Sequence, residues 1–295
     1  MKEKATLASL SPYVPGRPIA DVQKEFKLDK VVKLASNENP FGFSQRVQEA
    51  LAQSLTGLEY YPDGGAKALK EAIANVNQVP EERILVGAGL DDVIQIISRS
   101  LLSPGDEIIV ADPTFSQYEL HAVIEGAKVV KVPVKQSSGE MDLEAMLEAI
   151  TAKTKIIWLC NPNNPTGTYL PQSLIRAFIK KVPTDVLVIS DEAYQEYVTD
   201  EAISTSLPLL ETLSNIIVMR TFSKAYGLAG LRIGYAIIPT TVSRAFDIVR
   251  PPFNTSTIAQ KAAIVALEDQ AFIEHSVAVN QEELAQWETF LEAKQ

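Results

Sequence analysis

Six short apolar runs recur along the chain with helix-period segments between them, and this alternation limits the possible folds more than any other feature. The runs are Ile84-Leu85-Val86, Glu107 to Val110, Lys128 to Val132, Lys155 to Leu159, Val186 to Ile189 and Asn215 to Met219. Between them apolar residues fall three and four apart, as at Val93, Ile96 and Ile97 or Leu143, Met146, Leu147 and Ile150, which is the period of an amphipathic helix. Strands alternating with helices predict an α/β fold around a mainly parallel sheet. Most of the runs are apolar throughout, so helices are expected on both faces of that sheet.

A length of 295 residues suits one large domain plus part of a second. The expected division is an N-terminal arm over 1–32, a large domain over 33–269 and the start of a smaller domain over 270–295. In the arm, the prolines of Ser11 to Pro18 oppose a helix and favour extended chain. Toward the other end, Ile258 to Leu267 and Ala271 to Ala293 read as two helices. A formal charge of -10 sets up a field that repels nucleic acid and anionic membranes, so neither is an expected partner. Any anionic ligand must then be held by local donors. Cys160 is the single cysteine and sits in an apolar run, which reads as a buried structural thiol and a reducing, cytoplasmic setting. His121 and His275 have no second ligand type at metal spacing, so no metal site is expected. No run of 18 apolar residues is present to span a membrane, and the sequon at Asn254-Thr255-Ser256 is expected to be idle.

The chemistry-bearing residues gather at strand ends. Lys224 lies just beyond the Asn215 to Met219 run, in Thr221-Phe222-Ser223-Lys224-Ala225-Tyr226-Gly227, where glycines and small residues let other groups approach its amine. A desolvated lysine loses its proton and becomes a nucleophile toward aldehydes, whereas an isolated loop lysine is ordinarily solvated. Asp191-Glu192-Ala193-Tyr194 follows another strand, at the sheet edge where open α/β folds bind ligands. A buried Asp191 there would pair with a protonated pyridine nitrogen and Tyr194 with a ring oxygen; a strand-end acid also serves as a helix cap or a magnesium ligand. Asn161-Pro162-Asn163-Asn164-Pro165-Thr166-Gly167 is turn material that also presents amides. Gly87-Ala88-Gly89-Leu90-Asp91-Asp92 lies between a strand and a helix, where backbone N–H groups cradle phosphate. That glycine turn leaves a dinucleotide-binding dehydrogenase open, with Asp112 as its acid, although Asp92 stands where the third glycine belongs.

From Lys33 to Gly234 the chain resembles fold-type I aminotransferases that use pyridoxal phosphate, and histidinol-phosphate aminotransferases in particular. The resemblance is carried by Leu34-Ala35-Ser36-Asn37-Glu38-Asn39-Pro40, Tyr61-Pro62-Asp63-Gly64, Asn163-Asn164-Pro165-Thr166-Gly167 and Ser223-Lys224 with Gly230-Leu231-Arg232-Ile233-Gly234. It implies a large domain with a mainly parallel seven-stranded sheet and an incomplete small domain. It also implies that Lys224 condenses with the cofactor aldehyde and shuttles the Cα proton, with Asp191 on the ring nitrogen and Asn164 and Tyr194 on the ring oxygen. Phe115 matches the residue that stacks on the ring. The phosphate is assigned by the same resemblance to Gly89, Leu90, Asp91, Ser223, Arg232 and, from a second subunit of a homodimer, Tyr61; Tyr13 and Asn37 match substrate positions. The reaction implied is transamination between L-histidinol phosphate and 2-oxoglutarate, with aromatic amino acid transamination, phospho-amino acid decarboxylation and an inactive cofactor-binding remnant as alternatives. Relatives continue beyond this point to an arginine that grips the substrate, so one wall of the substrate site is expected to be missing and activity impaired. Arg244 and Arg250 are expected to face solvent in its stead.

Overall fold

A computed structural model describes residues 2–12, 14–54, 56–199 and 205–294. The chain opens with helices α1 (Ile19–Phe26), α2 (Gln45–Ala52) and α3 (Lys67–Asn77), then strand β1 (Ile84–Gly87) and helix α4 (Leu90–Leu101). There follow β2 (Glu107–Asp112), α5 (Gln117–Ile124), β3 (Lys128–Pro133), α6 (Leu143–Glu148), β4 (Thr154–Cys160), α7 (Gln172–Ile179), β5 (Leu187–Asp191) and β6 (Ile216–Thr221). The strand β7 (Gly234–Ile237) and helices α8 (Thr240–Val249), α9 (Thr257–Glu268) and α10 (Gln270–Glu292) complete the order. All six strands anticipated from the apolar runs are present, and so are both helices near the end of the sequence. Ser11 to Pro18 is free of helix at its described positions, as its prolines dictate. The helix α1 beginning directly after Pro18 was not anticipated.

The strands form one seven-stranded sheet in the order β1-β7-β6-β5-β4-β2-β3. Only β7 runs against its neighbours; the pairs β6-β5, β5-β4, β4-β2 and β2-β3 are parallel. Because β7 is antiparallel to both β1 and β6, β1 runs in the same direction as the remaining strands. The C-terminal ends of β1, β2, β4, β5 and β6 therefore share one sheet edge, and β7 starts there, with Gly234 opposite both Gly87 and Thr221.

Helices cover both faces, which is why the strands carry no polar alternation. Along β4, Ile157 and Leu159 enter a core layer completed by α2, α3, α7 and α9, while Ile156, Trp158 and Cys160 enter a second layer completed by α4, α5 and α8. Truncating a buried isoleucine to alanine in such a layer costs about 2–5 kcal/mol, so this core fixes the loops at the shared edge. The same topology removes the dinucleotide-binding alternative. Such folds bind at a crevice where the order of parallel strands reverses, whereas the glycine turn here leaves an edge strand whose only neighbour, β7, is antiparallel. None of the helices described is long and apolar enough to cross a membrane.

Candidate active site

The loops at the shared edge enclose a cavity of about 700 Å³. Each wall is the end of a named strand. Asp191 terminates β5 and Ser223 and Lys224 follow β6, while Asn164 comes from the turn after β4, Phe115 from the turn after β2 and Leu90 and Asp91 from the turn after β1. Arg232 precedes β7, Tyr194 follows β5, and Ser36, Asn37 and Glu38 approach from the loop after α1. Of the positions anticipated in the sequence, Gly89 and Tyr61 lie outside the lining, and Tyr13 falls outside the described residues.

Asp191 is 2% exposed, and its carboxylate accepts the Tyr118 hydroxyl at 2.6 Å and the Ala193 amide at 3.1 Å. Burial pushes its pKa up to about 6 against the downward pull of those two hydrogen bonds. Among the described residues no cationic side chain pairs with it, so the carboxylate is dressed to receive a positively charged or protonated group from the cavity side. Tyr118 is fully buried, stacked on Trp158 at 4.5 Å, and meets the Phe115 ring edge-on at 5.6 Å. Sequence reasoning missed Tyr118. It sits in the first turn of α5, 73 residues from the carboxylate it contacts, and only its proximity to Phe115 hinted at it.

Burial, with Arg232 adding to it, lowers the pKa of Lys224 despite the opposing pull of Glu38. Its Nζ donates to the Ser36 carbonyl at 2.9 Å and lies 5.7 Å from the centre of the Tyr194 ring. Ser36 and Asn37 hold left-handed backbone angles, φ 72° and 50°, and such non-glycine conformations persist where surrounding contacts enforce them. Those contacts are visible here: Asn37 donates to the Tyr194 hydroxyl at 3.1 Å, and Asn39 donates to the Ala225 carbonyl at 2.9 Å and to Ser276 Oγ on α10 at 3.1 Å. Gly227 makes this docking possible, since a Cβ there would stand 1.8 Å from the Gly42 carbonyl oxygen.

The two central asparagines of the β4 turn divide their work. Asn163 is spent on structure, donating to the Pro113 carbonyl at 3.1 Å and Thr166 Oγ1 at 2.9 Å and accepting from Thr114 at 2.8 Å; Asn164 faces the cavity. Cys160 beneath them is buried, and burial pushes its thiol up to about 12, which suits the structural role anticipated for it.

The turn after β1 is shaped for an anion. Helix α4 begins at Leu90 without a side-chain cap, so its first amides lack the usual acceptors. At Gly89, φ is +79°, and a Cβ would lie 2.5 Å from Arg232 Nη2, so glycine alone lets the guanidinium reach this turn. The Gly89 amide itself donates to the Gly87 carbonyl at 2.8 Å; its contribution is the missing side chain, and the open amides begin at Leu90. The guanidinium is 3.6 Å from the Asp91 carboxylate. Arg250 corrects an expectation: its side chain is only 18% exposed and donates to the Gly64 carbonyl and Asn254 Oδ1, because the loop after α8 folds over these acceptors. Arg244 is exposed as anticipated.

Residues 29–294 match the family model described as aminotransferase class I and II. The chain belongs to that family. Among its relatives, this aminotransferase is 52% identical over 290 residues to histidinol-phosphate aminotransferase 1 of Bacillus cereus, an alignment covering 98% of the chain and 78% of the relative. It is 50% identical over 292 residues to the histidinol-phosphate aminotransferase of Geobacillus thermodenitrificans, covering 99% and 80%. In structure the aminotransferase resembles histidinol-phosphate aminotransferase from Sinorhizobium meliloti in complex with pyridoxal-5'-phosphate, with a TM-score of 0.84 and 30% identity over 94% of this chain and 74% of that one. A seven-stranded, mainly parallel fold-type I sheet is thus common to both, and a dehydrogenase reading is excluded.

Proposed function

We propose that this aminotransferase moves an amino group between L-histidinol phosphate and 2-oxoglutarate, with pyridoxal phosphate bound in the strand-end cavity. The observation that carries the reading is the meeting, in one cavity, of a lysine of depressed pKa and a buried, cation-free carboxylate; the named relatives supply the substrate. The cavity fits the cofactor chemically: an acid for the ring nitrogen, an amide and a phenol for the ring oxygen, and an uncapped helix start with an arginine for the phosphate. When bound, pyridoxal phosphate supplies an aldehyde that captures the amino group and a protonated ring that accepts the electron pair released at the substrate Cα.

The protein's part follows from its residues. Lys224, its pKa lowered by burial, would hold the aldehyde before substrate arrives and then take the proton from the substrate Cα and return it one atom away. Asp191 keeps the ring nitrogen protonated, and Tyr118 holds that carboxylate in place. Asn164 and Tyr194 orient the ring through its oxygen, and Phe115 covers one ring face. The Leu90 and Asp91 amides, Ser223 and Arg232 anchor the phosphate from this chain, and Tyr61 does so from a second copy. Asn37 contacts substrate. Exposed apolar side chains, among them Leu34, Tyr60 and Tyr61, support a homodimer with shared sites.

Spectroscopy of the cofactor-loaded protein tests the reading. Histidinol phosphate should shift the visible absorbance and 2-oxoglutarate should restore it, with aromatic amino acids much slower. A spectrum that no amino donor changes would identify an inactive cofactor-binding remnant instead.

A further inference from the structure

The turn Tyr61-Pro62-Asp63-Gly64 is gripped by the segment that joins α8 to α9 and by the first turn of α9. Arg250 donates to the Gly64 carbonyl at 2.9 Å, Gln260 donates to the Asp63 carbonyl at 2.9 Å, and the Phe253 ring stacks on Tyr61 with 4.6 Å between centres and 18° between planes. Phe253 adopts φ 57° to do so, a left-handed conformation that a bulky residue keeps only where neighbours hold it. The next residue faces the other way. Asn254 donates to Asp92 Oδ2 at 2.7 Å and to the Val86 carbonyl at 3.1 Å, and the same Asp92 oxygen accepts the Ala88 amide at 2.8 Å. Asn254 therefore sets the turn from which the open amides of α4 start, although neither it nor Phe253 lines the cavity. Arg250 locks the two halves together by donating to Asn254 Oδ1 at 3.2 Å as well as to Gly64. The sequon asparagine is a structural junction.

We propose that Phe253 and Asn254 are positioning residues for the cofactor phosphate: Asn254 fixes the cradle of its own subunit, and Phe253 fixes the Tyr61 ring that reaches into a second copy. This rests on the phosphate site and dimer proposed above. Each phosphate is thereby tuned from both sides of the subunit interface, by Asn254 of its own chain through a hydrogen bond and by Phe253 of the second copy through a stacked ring.

The test compares equilibrium binding of pyridoxal phosphate with that of pyridoxal, which lacks the phosphate, in the full chain. Losing hydrogen bonds of this kind is expected to weaken pyridoxal phosphate about tenfold or more in Asn254→Ala and in Asp92→Ala, the second of which removes the oxygen that Ala88 and Asn254 share. Pyridoxal binding should stay unchanged in both, a result that loss of fold or of general packing would not give. Phe253→Leu should produce the same selective loss, and should add nothing in a Tyr61→Phe background. Equal loss for both ligands, no loss for either, or full additivity of Phe253→Leu with Tyr61→Phe would overturn the proposal. If the parent protein bound the two ligands equally well, the phosphate site itself would be wrong and the positioning roles would fall with it.

Discussion

Asp191 shows what burial does to a carboxylate that has no cationic partner among the described residues. Its folded pKa of about 6 lies above the ordinary carboxylate value of 3.8, so the stability associated with its protonated form is present at low pH and is lost as pH rises toward and through 6. Above that range the ionised, buried carboxylate costs the cofactor-free protein on the order of 3 kcal/mol. Asp191→Asn removes the charge and leaves an acceptor for Tyr118. Its cofactor-free form should therefore unfold at higher urea than the parent at pH 8, with the gap narrowing as pH falls from 6 toward 4. The same variant should lose roughly a thousandfold in the rate of Cα proton transfer, because a fixed charge opposite the ring nitrogen is no longer available. A gap in urea midpoint that ignores pH would show that the carboxylate carries no such penalty. The place of Lys224 at the sheet edge was legible from the run before it and its small neighbours, but the carbonyl that holds it, on Ser36, was not. That contact joins residues 188 positions apart and depends on a left-handed turn that no local pattern announces.

Among the elements, legibility followed hydrophobic continuity. Strands β1, β2, β4, β5 and β6 stood out because burial on both faces leaves apolar runs, and the edge strand β3 by its β-branched valines although most of it is at least partly exposed. Strand β7 did not stand out: it is four residues, Gly-Tyr-Ala-Ile, directly after the Arg232 turn, and its place between β1 and β6 is set by pairing rather than by its own composition. Yet β7 is the element that turns Arg232 toward Gly89. Helix α1 was hidden for the opposite reason, since the prolines before it dominate the arm, and its residues are all at least partly exposed. Arg250 was misread because its position at the end of α8 suggests solvent, whereas its acceptor Gly64 lies 186 residues earlier. The buried pair Arg220 and Glu192, 2.9 Å apart, ties the end of β6 to the segment after β5 and so braces the Asp191 and Lys224 walls against each other. Removing one partner of such a pair leaves an uncompensated charge and costs about 3–5 kcal/mol.

For the molecule as a whole, the sheet edge explains why residues scattered over two hundred positions line one cavity, and the exposed Tyr61, 81% accessible, is the residue on which the proposed homodimer can be tested. If Tyr61 serves a second copy, mixing Lys224→Ala chains with Tyr61→Ala chains should regain roughly a quarter of the parental activity in a symmetric dimer, because half of the dimers then carry one intact site. No recovery above the separate variants would place Tyr61 in its own subunit. The account as a whole stands on the amine of Lys224. Borohydride reduction of the protein loaded with pyridoxal phosphate, followed by peptide mass spectrometry, should find the pyridoxyl mass on the peptide containing Lys224 and nowhere else; an unmodified Lys224 peptide, or the adduct on another lysine, would contradict it.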